Sequence, residues 1–152
     1  MKKIYAVILS VLMLIPLSAC SSDEPVKKNG TLLNYYETSE EYFDYINPSY
    51  SFRLPVYWKG KFAVEVYNDH EDFYEKTSYE ENGTGLVFSI YSYDDKSYKK
   101  EHKKYEYLLY DETNQKHYIL AYPKNEEYKE DSKKVYEDLK MAIQIIQYTF
   151  SN

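Results

Sequence analysis

The stretch Tyr50-Ser51-Phe52-Arg53-Leu54-Pro55, followed a turn later by Phe62-Ala63-Val64-Glu65-Val66-Tyr67, decides the fold. In the first, Tyr50, Phe52 and Leu54 alternate with Ser51 and Arg53. In the second, Phe62, Val64 and Val66 alternate with Ala63, Glu65 and Tyr67. A side-chain period of two puts each apolar set on one face of a strand. Pro55 ends the first strand because it has no N–H to give a ladder. Working outward, residues 72–76, 86–93, 105–110 and 117–122 read as further strands. The turn signals around them are Asn47-Pro48, Lys59-Gly60, Asn68-Asp69, Asn82-Gly83 with Gly85, and Thr113-Asn114. Short turns make neighbours antiparallel. Residues 38–46 carry capping-box spacing in Thr38 and Glu41 but also suit a strand, and we read them as a strand hairpinned onto residues 50–54.

Towards the C-terminus the period changes. Val135, Leu139, Ala142, Ile143, Ile146 and Phe150 form a helical apolar stripe, with Asp131 or Ser132 to cap its start and Lys133, Glu137, Lys140, Gln144 and Gln147 opposite. Such a helix buries its stripe across the apolar face of a sheet. The expected class is α+β: an antiparallel sheet of about six or seven strands packed by one long C-terminal amphipathic helix. No internal repeat is present, which excludes a solenoid.

The N-terminal segment reads as an address. Lys2 and Lys3 precede an apolar run over residues 4–16, and Leu17-Ser18-Ala19-Cys20 follows. That order is an export signal. A run of about 13 residues is shorter than the roughly 20 a membrane-crossing helix needs. Small residues before a lone cysteine resemble the lipobox of bacterial lipoproteins. The resemblance implies that Cys20 carries a diacylglyceryl thioether, becomes the acylated N-terminus, and holds the chain on the extracytoplasmic face of a membrane. The plainer alternative is a secretory signal with an incidental cysteine. Cys20 is the only cysteine, so no intramolecular disulfide forms. The expected organisation is a signal peptide over 1–19, a lipidated N-terminus and flexible tether over 20–38, and one domain over 39–152.

The whole chain has 152 residues, 19 Lys plus Arg, 25 Asp plus Glu and a net charge of −6. Losing Lys2 and Lys3 with the signal leaves 17 basic against 25 acidic residues, a charge of −8. That balance argues against nucleic acid as a partner.

The run Tyr50-Ser51-Phe52-Arg53-Leu54-Pro55, then Tyr57-Trp58-Lys59-Gly60-Lys61-Phe62, continues with Val64-Glu65, Phe73-Tyr74-Glu75-Lys76-Thr77-Ser78-Tyr79-Glu80 and Gly85-Leu86-Val87-Phe88-Ser89-Ile90. Together these resemble a group of small exported proteins and lipoproteins of low-GC Gram-positive bacteria, over about residues 45–148. The opening pattern is also similar to the start of the PsbP and Mog1 fold, an antiparallel sheet packed by helices. Both resemblances imply a role in binding a protein or supporting a membrane complex, and neither identifies a residue. Those families carry more helix between the middle strands, where residues 94–104 here are short and highly charged.

Candidate chemistry is sparse. His70, His102 and His117 have no ligand spacing, so no metal or other cofactor is expected. There is no G-x-S-x-G elbow, and Glu80-Glu81 and Glu126-Glu127 sit in charged turns. The run Lys96, Lys99, Lys100, Lys103 and Lys104 reads first as a solvated loop and second as a contact for an anionic surface.

Tyrosine is the outlier, with 21 in the chain. Tyr67, Tyr91, Tyr93, Tyr110 and Tyr122 fall on strands and are the candidate binding surface, with Trp58 beside them. Tyrosine joins apolar area to a hydroxyl and is enriched at interfaces. Strand preference and an AT-rich coding composition also raise its count. Trp58 reads first as packing against the sheet edge or the C-terminal helix and second as a ligand-stacking ring. The expected function is a membrane-anchored, non-catalytic binding or accessory module for an envelope protein. The alternative is a glycan or small-ligand binder with a tyrosine-lined groove.

Overall fold

A computed structural model describes residues 35–37, 41–101 and 105–152. The signal segment, Cys20, most of the tether, and His102, Lys103 and Lys104 lie outside the described residues. The chain runs β1 (Tyr35–Glu37), β2 (Tyr42–Ile46), β3 (Ser51–Pro55), β4 (Phe62–Val66), β5 (His70–Glu75), α1 (Lys76–Asn82), β6 (Leu86–Tyr93), α2 (Asp95–Glu101), β7 (Glu106–Asp111), β8 (Lys116–Ala121), α3 (Lys133–Met141) and α4 (Ile143–Thr149). The class is α+β with antiparallel strands and a C-terminal helical segment.

Among the described residues the strands form two sheets where one was expected. The smaller has order β1-β2-β3 and the larger β4-β5-β6-β8-β7. The alternation of β3 and β4 shows two half-buried strands but is silent on which strands pair. Between them Pro55 leads into a 3₁₀ turn at Val56–Trp58, and Gly60 takes φ +72°, so the chain turns away instead of forming a hairpin. The Val56 N–H goes to the carbonyl of Glu41, tying the exit of β3 to the start of β2. β2 pairs with β3 across Ile46 and Ser51, and Asn47 Oδ1 accepts from the Ser49 and Tyr50 amides to close the turn. β1 lies in the segment read as tether and pairs with β2.

The inner faces of the two sheets meet in an aromatic core. Tyr45 and Phe52 both meet the ring of Phe73 edge-on, at 5.2 and 5.8 Å, and Phe73 stacks on Phe88 at 4.5 Å. Burying a side chain of this size contributes about 1.5–3 kcal/mol. Trp58 is fully buried, packed against Phe62 and Phe88.

The expected single helix is divided at Ala142, where φ −81° and ψ −7° and an Ile145 N–H to Ala142 carbonyl bond tighten the turn. Its stripe survives the break, since Leu139, Ala142, Ile143 and Ile146 are all buried. α3 packs on β5 and β6 and α4 on β3, so each half serves a different sheet. Among the described residues no helix is long and apolar enough to cross a membrane.

Candidate functional site: the outer face of the larger sheet

Strand parity sorts the larger sheet into two faces. Phe73, Phe88, Ile90, Tyr118 and Leu120 face the core. The residues between them, with register pairs Glu65 to Asp72, Asp72 to Ser89, His70 to Tyr91 and Tyr93 to His117, face the other way. This outer face is a layer of rings standing against each other. His70 is sandwiched between Tyr67, at 4.2 Å and 5° between planes, and Tyr91, at 4.5 Å and 16°. Tyr91 continues to Tyr93 at 5.5 Å and Tyr105 at 6.1 Å. Across the strand pair, His117 stacks on Tyr98 of α2 at 4.0 Å and meets Tyr110 at a tilt at 4.6 Å, with Tyr107 beside them. The stripe therefore crosses the sheet from the end of β4 to β7.

Two buried carboxylates anchor the β4–β5 end. Glu65 accepts from Tyr67 at 2.8 Å, Tyr74 at 3.2 Å and Tyr79 of α1 at 2.5 Å. Asp72 accepts from Tyr74 at 3.2 Å and, by a very short contact, from Ser89. Burial first, then the bond to Glu65, pushes the Tyr79 phenol up to about 12. Tyr67 and Tyr74 are raised too, by burial and then by the nearby carboxylates. These phenols stay protonated and act as donors. The arrangement holds two anions in place with neutral hydrogen bonds, which is binding and structural chemistry.

Both outer-face histidines also meet aspartates. His70 Nδ1 lies 2.7 Å from Asp69 and its Nε2 3.7 Å from Asp72. His117 Nε2 lies 2.8 Å from Asp95, while its buried Nδ1 has no hydrogen-bond partner among the described residues. Burial pushes the His70 imidazole down, but the nearby Asp72 and the hydrogen-bonded Asp69 outweigh this and leave it above 6.5. Among the described residues no group of three His, Cys, Asp or Glu side chains is placed to hold a metal ion.

The structure brings Tyr67, Tyr91, Tyr93 and Tyr110 onto this face. Trp58 and Tyr122 are elsewhere. Trp58 lies in the core. Tyr122 shares parity with Leu120 and donates to Glu106, which also accepts from Gln147 of α4 by a very short contact, so it stands on the helix side. Reading the sequence missed Glu65, His70, Asp72, Tyr74 and Tyr79. The period of His70, Asp72 and Tyr74 against Glu71, Phe73 and Glu75 carried the signal for β5.

No protein-family model, curated protein or solved structure matches the chain.

Proposed function

We propose that the protein is an extracytoplasmic lipoprotein, held to a membrane by acylated Cys20, whose domain is a non-catalytic binding or accessory module for an envelope protein. The observation that carries this reading is the pair of tyrosine and histidine clusters, adjoining at the Tyr93 and His117 register pair, on the sheet face turned away from the core. Its half-buried rings combine apolar area with hydroxyls, the composition favoured at protein interfaces. Tyr107, 51% exposed, stands at its open end. The stacking also weighs against the glycan reading. The faces of Tyr67, His70 and Tyr91 lie against one another, so a sugar ring meets edges and hydroxyls where it needs a flat platform. A PsbP/Mog1-like architecture belongs to the same proposal, supported by the antiparallel sheet and the C-terminal helical packing.

The test is crosslinking of the native lipoprotein in intact cells, with a photocrosslinking residue at Tyr107 and, separately, at Tyr148 on α4. Cys20→Ala serves as the untethered control. A reproducible envelope protein captured from Tyr107, absent from Tyr148 and lost in the control, supports the module. Capture from Tyr148 alone moves the interface to the helix. No capture from either position sinks the protein-partner reading.

A further inference from the structure

His70 is held in a setting that neutral imidazole does not satisfy. A neutral ring has one N–H and one bare nitrogen. Here Asp69 Oδ1 lies 2.7 Å from Nδ1 and Asp72 Oδ1 lies 3.7 Å from Nε2, so either neutral tautomer turns a lone pair towards a carboxylate. Only the imidazolium presents a proton to both. Its two faces are covered by Tyr67 and Tyr91 in nearly parallel stacks, and a cation between ring faces is attracted by both.

The groups around the ring come from every neighbouring element. Asp69 lies in the turn, Asp72 on β5, Tyr67 at the end of β4 and Tyr91 on β6. Behind Asp72 stand Ser89, Tyr74 and, opposite it in register, Glu65. Among the described residues no lysine or arginine pairs with Asp69 or Asp72. The imidazolium is therefore the cation that matches this acidic corner. The same corner is fixed to β6, since Ser92 N–H donates to the carbonyl of Asp69.

We propose that His70 is a proton-operated clamp, whose imidazolium joins Asp69, Asp72, Tyr67 and Tyr91 into one unit and whose deprotonation loosens the β4–β5 end of the aromatic face. As regulation of partner binding this rests on the function proposed above; the clamp itself does not. The sign follows from linkage. A histidine raised in the folded state contributes stability that is complete below 6.5, its unfolded value, and is lost as the pH climbs through the higher folded value. The face is thus tightest in mildly acidic surroundings and loosens with alkalinity.

The experiment is an NMR pH titration of the full chain in detergent micelles with isotope-labelled histidines and tyrosines, the His70, Tyr67 and Tyr91 signals being assigned by His70→Gln, Tyr67→Phe and Tyr91→Phe. The expected result is a His70 midpoint above 6.5 with the Tyr67 and Tyr91 ring signals moving at the same midpoint. Asp69→Asn, a change at an exposed carboxylate that leaves the ring stack in place, should bring the midpoint back towards 6.5. A His70 midpoint at or below 6.5, or tyrosine signals that ignore it, overturns the clamp. Where His70→Gln fails to fold, the Asp69→Asn shift alone assigns the signal and decides. Photocrosslinking at Tyr107 on both sides of the midpoint separates the two readings. Capture that is equal at both pH values overturns the regulation and leaves binding intact. Absence of capture beside a raised, coupled midpoint overturns binding and leaves the clamp standing.

Discussion

Glu65 shows how a single acidic side chain comes to organise a surface. It is buried on the sheet and takes three phenolic hydrogen bonds. Glu65→Ala leaves those hydroxyls without their acceptor, at a cost of about 1–3 kcal/mol. Denaturant unfolding should record that loss, and the Tyr79 phenol should fall from about 12 towards 10 in the same variant. Gly85 is constrained differently. It sits at φ +90°, and an added Cβ would stand 2.8 Å from the Ser78 Cβ and 3.1 Å from the Glu75 carbonyl oxygen. Gly85→Ala is expected to cost about 1–3 kcal/mol in the same assay, from backbone strain and from displacing α1. Some of this scale was readable beforehand. The parity of Tyr122 with Leu120 already separates it from Ile119 and Ala121. Which parity is the core of a strand rich in tyrosine was not readable, because Tyr118 is buried on one face while Tyr91 and Tyr93 line the other.

Elements differ in how openly they declare themselves. β6 is found over the run read as a strand, Leu86–Tyr93, because a long apolar and aromatic run that opens after the Gly83 and Gly85 turn and closes at Asp94-Asp95 has few other readings. α1 was invisible. Its sequence, Lys76 to Asn82, has no apolar period, and its cap is Glu75, whose carboxylate accepts from the Thr77 and Ser78 amides. What holds α1 is tertiary: Ser78 is buried and its hydroxyl accepts from the Lys129 amide. The cap has a pH signature. Burial raises the Glu75 carboxyl, but the bonds from Ser78 and Thr77 dominate and leave it below 4.5. Its contribution is therefore present above 4.5 and disappears as the pH falls through the lower folded value. Glu75→Gln should destabilise by about 1 kcal/mol at neutral pH, with the gap to the parent narrowing in acid, as followed by thermal unfolding. The break at Ala142 could not be read either, since the stripe keeps its spacing through it. Leu139→Ala, in the buried part of α3, is expected to cost about 2–5 kcal/mol in denaturant unfolding.

At the scale of the molecule, two sheets and a divided helix share one core, and phenols are built into both sides of the larger sheet. On the core side Glu71 accepts from Tyr45 at 2.8 Å and Tyr50 at 2.5 Å, and burial and then Glu71 raise both phenols well above 10. Groups raised in the folded state favour folding below their unfolded value of 10 and lose that contribution as the pH rises past it. Alkaline unfolding should therefore be cooperative, with phenolate absorbance from Tyr45, Tyr50, Tyr67 and Tyr74 appearing together with loss of the near-ultraviolet circular dichroism. A gradual rise in absorbance with the dichroism intact would contradict this. The class of the fold was legible because period two and period 3.6 are local; the partition into two sheets was not, because it depends on which strands meet across the core. The pinned hydroxyls have one more consequence. Reagents that modify tyrosine attack the ionised ring, so Tyr45, Tyr50, Tyr67, Tyr74 and Tyr79, whose hydroxyls are held by carboxylates, become chemically quiet ground. Tyr148, 89% exposed on α4, is where such a label should land first.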